Sequence, residues 1–186
     1  MASVRQLLAK ANSTTEDIKW FFDNPELLFS SEHISWKACV VFVFSEIERA
    51  HGRCLYAGLI KKHRTSATLT KQKIAQQHFT KENFRKFFKT VFGESFPVTL
   101  TSKIKGAEKT RNDVAHGKNV TDKRMRQALY DMIEYAEAFN EWTNENERFR
   151  PFGDLRGVKG RGAALNAKTT FWVLKGMGFS AKMPNA

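Results

Sequence analysis

From Trp36 to Lys62 the apolar residues recur at three- and four-residue steps, over a length no ordinary strand reaches. The β-branched and aromatic run Val40-Val41-Phe42-Val43-Phe44 also suits a strand. The pattern, however, continues through Ile47, Ala50, Cys54, Ala57 and Leu59, which favours one long helix with Ser35 placed to cap it. The run from Val40 to Phe44 is apolar all round and predicts burial among several neighbours. Glu46, Glu48, Arg49, His51 and Arg53 make the polar side. Glu46 either faces a shared polar groove or is an ordinary exposed glutamate. Gly52 and Gly58 cost helix stability but permit close approach of another helix.

The remainder reads as further helices. Val4 to Ala11 puts Val4, Leu7, Leu8 and Ala11 on one side. Ser13 with Glu16 fits a capping box for a second helix anchored by Trp20, Phe21 and Phe22 and broken at Asn24-Pro25. Leu27 to Phe29 is expected as a loop or short turn, and His63 to Leu69 as a polar link. Thr70 to Phe79 reads as a short helix with Lys71 and Lys73 outward and Ile74 inward. Thr80 is a suitable cap for Lys81 to Phe92, where Phe84, Phe87, Phe88 and Phe92 form an apolar stripe and Lys81, Arg85, Lys86 and Lys89 a basic one. Thr121 or Asp122 caps a second long helix, Lys123 to Glu147. Its inner side is Met125, Leu129, Met132 or Ile133, Ala136 and Phe139, extended by Ala138 and Trp142. Its outer side is acidic from Asp131 to Glu147.

Pro151 ends that organisation. Phe152 to Ala164 interleaves four glycines with Arg156, Lys159 and Arg161, a flexible, phosphate-friendly composition without P-loop spacing. Asn166 caps a final helix carrying Phe171, Trp172 and Leu174, stopped by Gly176 and Gly178, with Phe179 placed to tuck back. The expected architecture is all-α. A helical bundle fills residues 1–150, with N-terminal helices over 4–30 and a core over about 36–142, and a basic extension follows over 151–186.

The formal charge of +12 predicts an anionic partner, nucleic acid first and an anionic surface second. Thirteen Lys and Arg against three acids lie between Lys61 and Arg111. Sixteen phenylalanines and an apolar fraction of 41% argue for a packed core. Cys39 and Cys54 match neither a zinc pattern nor a disulfide framework, and read as buried free thiols in a reducing compartment. Ala38 to Phe44 is too short to span a bilayer, so a cytoplasmic protein with no membrane partner is expected. No metal-ligand cluster or nucleophile motif appears, and no cofactor is demanded.

The chemistry concentrates in Arg111-Asn112-Asp113-Val114-Ala115-His116-Gly117. Gly117 suits the left-handed position that ends a helix. His116 then sits in the last turn, where the helix field favours its protonated form. Asn112 stacks four residues below it, Asp113 is near enough to orient it, and Arg111 can swing back across the groove. A histidine beside a guanidinium suits a phosphate. The plainer reading is a helix end with surface Arg and His.

The run from Arg111 to His116 resembles the HEPN superfamily, whose ribonuclease members carry an arginine, a polar residue and a histidine a few positions on. Asn112 occupies the favoured polar place. The resemblance covers about Trp36 to Trp142 and implies a helical bundle that cleaves RNA without metal. In it Arg111, Asn112 and His116 are the catalytic residues, with Asp113 and Glu46 in support. Lys105, Lys109, Lys118, Arg85, Lys86, Arg156 and Arg161 are then the expected RNA-binding residues. The resemblance also implies a homodimer across the Arg111/His116 cleft, and a toxin or phage-defence setting with a possible inhibitory or defence-system protein partner. The alternatives are a non-catalytic RNA- or protein-binding HEPN-like module, a DNA-binding accessory protein and a helical scaffold.

Overall fold

Each helix begins where the sequence offers a cap or a break. The computed structural model describes residues 2–30, 35–77 and 81–179, and every regular element among them is a helix. They are α1 (Val4–Ser13), α2 (Glu16–Phe21), α3 (Pro25–Ser30), α4 (Trp36–His63), α5 (Ala67–Ala75), α6 (Lys81–Phe92), α7 (Val98–Ala115), α8 (Asp122–Glu147) and α9 (Ala167–Gly176). No helix among the described residues is long and apolar enough to cross a membrane. The fold is an all-α bundle.

Three caps match the expected residues. The Ala38 N–H donates to Ser35 Oγ at 3.4 Å, the Arg124 N–H to Thr121 Oγ1 at 3.3 Å and the Thr169 N–H to Asn166 Oδ1 at 2.8 Å. The Ser13/Glu16 box does not form. Ser13 still belongs to α1, where its hydroxyl donates to Lys10 O, and α2 starts behind Thr15. The reciprocal box is instead Ser3 with Gln6. Thr80 lies outside the described residues.

The chain divides into two compact units. Unit 1 comprises Met1–Arg49 and Pro97–Asp154, and unit 2 comprises Ala50–Phe96 and Leu155–Ala186. The long helix α4 gives its residues up to Arg49 to the first unit and the rest to the second. The sequence pattern predicts a boundary at 150/151. Residues 151–154 belong to unit 1, because Phe152 is fully buried among Phe21, Phe22 and Phe139, with ring centroids 4.8, 5.6 and 6.4 Å away. Residues 155–186 group with 50–96.

In unit 1, α7 packs along α8, which also receives α1 and α2. The inner side of α8 is as expected: Met125, Leu129, Met132, Ile133, Ala136 and Phe139 are all buried. Three expectations fail. Trp20 is 71% exposed while Phe21 and Phe22 carry the anchoring, Leu27 to Phe29 form part of helix α3, and Val41 and Phe42 reach solvent. A six-residue helix such as α2 has room for only one inward side, and Trp20 falls opposite it.

Unit 2 is built on phenylalanine. Phe84, Phe87, Phe88 and Phe92 line the inner side of α6 as predicted. Gly58 is where α4 admits this helix, because a Cβ there would lie 2.5 Å from the Phe92 ring and 2.7 Å from Val91. The glycine-rich loop is a packing device. A Cβ on Gly160 would meet Ile60 O at 2.9 Å, one on Gly162 would meet Arg64 Nη1 at 2.9 Å, and the Leu165 N–H donates to Arg64 O at 2.7 Å. Phe179 tucks back as expected, its ring 4.2 Å from Phe87. Two polar side chains are less exposed than expected. Lys73 is buried, its Nζ donating to Gln76 at 3.3 Å, and His51 stacks on Phe84 with centroids 3.9 Å apart.

Candidate active site at the end of helix α7

Helix α7 ends through a double hydrogen bond that fixes the Arg-to-His stretch. Gly117 adopts φ +70°, its N–H donates to Val114 O at 3.0 Å, and the Lys118 N–H donates to Asp113 O at 2.9 Å. This is the two-bond closure that a left-handed C′ residue makes possible. His116 is therefore the last residue of the helical path, and its own N–H donates to Asn112 O at 3.0 Å.

Arg111 is held from three sides. Its Nη2 donates to Glu48 Oε1 at 3.2 Å, its Nη1 donates to Asn112 Oδ1 at 3.1 Å, and its guanidinium carbon lies 4.9 Å from the Phe44 ring centroid. All four residues belong to unit 1. The Arg111–Glu48 pair is about one-third exposed on each side, so its contribution to stability is at most about 1 kcal/mol. Its effect is geometric: it fixes the direction of a long side chain.

His116 contrasts with this arginine. It is exposed, and its ring makes no hydrogen bond or ion pair among the described residues. Lys105, Lys109, Asn112 and His116 follow helical spacing along α7, and all four are exposed, so they form one open stripe. Arg111 lies off that stripe, on the side facing α4.

The supporting residues differ from expectation. Asn112 hydrogen-bonds to the arginine rather than the histidine. Asp113 accepts from Lys118 Nζ at 2.9 Å and from Arg124 Nη2 at 2.7 Å. The Lys118 hydrogen bond first, and the Arg124 bond second, hold its carboxyl below the usual carboxylate range. It ties the turn to the start of α8 and does not orient His116. Glu46 pairs with Arg49 one turn along the same helix. The glutamate that reaches the site is Glu48, whose sequence position marks it only as one of the polar residues of α4. Only the register of α4 against α7 distinguishes the two, and no local pattern encodes it.

The expected RNA-binding residues divide between the units. Lys105, Lys109 and Lys118 share unit 1 with Arg111 and His116, and Lys118 is engaged by Asp113. Arg85, Lys86, Arg156 and Arg161 belong to unit 2. Compared with protein families, curated proteins and solved structures, the chain matches none.

Proposed function

We propose that the protein is a HEPN-type endoribonuclease that cleaves RNA without a metal ion, using Arg111 and His116. The observation that carries this reading is the contrast between the two side chains. The guanidinium is held by Glu48, Asn112 and Phe44, while the imidazole stands open at the helix end, beyond the exposed Lys105 and Lys109. Phosphodiester transesterification requires a fixed cation and an accessible acid–base group, which these two residues, five apart at the end of α7, supply.

In this mechanism the neutral His116 imidazole takes the proton of the ribose 2′-OH. The 2′-oxygen attacks the adjacent phosphorus, and the bond from phosphorus to the 5′-oxygen breaks. A protonated histidine delivers a proton to the leaving 5′-oxygen. Arg111 balances the charge that develops on the non-bridging oxygens, and Asn112 holds Arg111 at its Nη1. The products are a 2′,3′-cyclic phosphate and a 5′-hydroxyl. DNA lacks the nucleophile and resists.

One chain supplies one Arg–His pair. A homodimer that brings two His116 side chains to one cleft divides the acid and base roles between them. A strictly monomeric protein that cleaves RNA would remove this part of the proposal.

The test is cleavage of a mixed-sequence RNA by the parent protein and by Arg111→Ala and His116→Ala. Each substitution is expected to slow cleavage by roughly 100-fold or more while RNA binding persists. Binding by all three proteins with cleavage by none would favour the second reading, a non-catalytic RNA-binding module. The exposed Lys105 and Lys109 stripe fits that module equally well.

A further inference from the structure

The net positive charge of this protein lies in one unit. Unit 2 contains sixteen Lys and Arg against two acids, a formal +14, whereas unit 1, which carries Arg111 and His116, contains fifteen against seventeen, a formal −2. Nine of the thirteen basic residues between Lys61 and Arg111 fall in unit 2. Electrostatic capture of a polyanion is therefore chiefly a property of the unit without the Arg–His pair.

Helix α9 in that unit shows where bases can be held. Its inner side is anchored. Thr170, Phe171 and Leu174 are buried, the Ser66 N–H donates to Thr170 Oγ1 at 2.9 Å, and the Phe179 N–H after the helix donates to Leu174 O at 3.0 Å. Its outer side carries Trp172, which is 51% exposed. Lys168 precedes it by four residues and Lys175 follows by three, so both share its side of the helix, and both are exposed. Lys175 Nζ lies 5.2 Å from the Trp172 ring centroid, and the buried Phe171 ring meets the indole edge-on at 5.3 Å. One exposed indole alone needs no explanation. An indole steadied by a buried ring and flanked by two lysines, within a +14 unit, has the composition of a base-stacking site on a single strand.

We propose that Trp172, Lys168 and Lys175 form a binding site for single-stranded nucleic acid, with one base stacked on the indole and the lysines meeting the adjacent phosphates. That the strand is RNA rests on the ribonuclease reading above; the stacking chemistry is common to RNA and DNA.

The experiment measures binding of a fluorescein-labelled 12-nucleotide single-stranded RNA, its DNA counterpart and a matched RNA duplex by anisotropy at several salt concentrations. All proteins carry His116→Ala, so that no cleavage intervenes. Trp172→Ala is expected to weaken single-strand binding roughly 5- to 100-fold and leave the salt dependence unchanged, because stacking is lost but no charge. Trp172→Phe retains most of the affinity. Lys168→Ala and Lys175→Ala each lower the salt slope. The duplex, whose bases are already stacked, is little affected by Trp172→Ala. Thermal melting of each variant checks that the fold is kept, and an unchanged midpoint is expected at this exposed position. The proposal is overturned if Trp172→Ala binds the single strand as tightly as its parent, or loses single strand and duplex equally. Trp172-dependent binding of both RNA and DNA supports the site whatever the cleavage assays show, so the two proposals fail separately.

Discussion

At the scale of the residue, the site depends on which carboxylate meets which cation. Asp113 lies two residues from Arg111, and Glu46 and Glu48 lie two residues apart on another helix, yet of the three only Glu48 hydrogen-bonds to it, at 3.2 Å. The types Arg, Asn and His could be read from the chain because they are adjacent. Glu48 could not, because its role depends on packing between α4 and α7. Asp113 was assigned to His116 by spacing, but two cations, Lys118 and Arg124, outcompete a single imidazole for it. Glu48→Ala is expected to slow RNA cleavage by roughly 10- to 100-fold through a misplaced Arg111. Glu48→Gln, which keeps an acceptor, should restore much of the rate. Cleavage by Glu48→Ala at the parent rate would remove the positioning role. His51 yields a second prediction at this scale. Burial against Phe84, and then the charge of Arg85, push its pKa down to about 3. The unfolded chain protonates it near 6.5. Below that pH the unfolded state binds a proton that the folded state refuses. The stability is thus complete above about pH 6.5 and is lost progressively toward pH 3. Thermal melts should fall between pH 7.5 and pH 5, and His51→Phe, which keeps a stacked ring, should flatten that fall. An equal fall in both proteins would contradict the assignment.

At the scale of the element, helix boundaries were the most legible feature. Ser35, Thr121 and Asn166 each cap the helix assigned to them, and Gly117 closes α7 in the left-handed region. Caps are local chemistry and can be read locally. Exposure was less legible. Val40 to Phe44 is apolar throughout, yet Val41 and Phe42 face outward because neighbouring helices cover only part of α4. The glycine-rich loop reads as flexible, but Gly160 packs against the Ile60 backbone carbonyl, which leaves no room for a Cβ, and Gly162 lies against the end of the Arg64 side chain. Gly58 is the clearest case of a glycine set by packing. Gly58→Ala would gain about 1 kcal/mol of helix propensity in isolation. Here its Cβ meets Phe92 and Val91 well inside contact distance, and overpacking costs about 1–3 kcal/mol. A net loss in denaturant-unfolding free energy is expected. A stabilised Gly58→Ala would show that the α4–α6 approach is looser than described.

At the scale of the whole molecule, the all-α fold followed from helical periodicity, whereas the division into two units did not. The sequence placed a bundle before 150 and an extension after it. The chain instead returns, so that residues 155–186 join 50–96 in a strongly basic unit. A linear count of charge along the chain could not reveal this, because it joined Lys61 to Lys89 with Lys103 to Arg111 across a unit boundary. The proposed assignment of roles follows from that separation, with attack chemistry assigned to Arg111 and His116 and single-strand capture assigned chiefly to the basic unit. In the proposed reaction the substrate's own 2′-oxygen is the nucleophile and His116 its base. The most direct measurement is cleavage of an end-labelled RNA in excess EDTA, with products resolved by their ends, beside the same RNA carrying a single 2′-deoxy at the cleaved position. The expected result is a 2′,3′-cyclic phosphate from the first RNA, an intact bond at the substituted position of the second, and no cleavage by His116→Ala. Cleavage at the 2′-deoxy position, or a product ending in a 5′-phosphate, would contradict it.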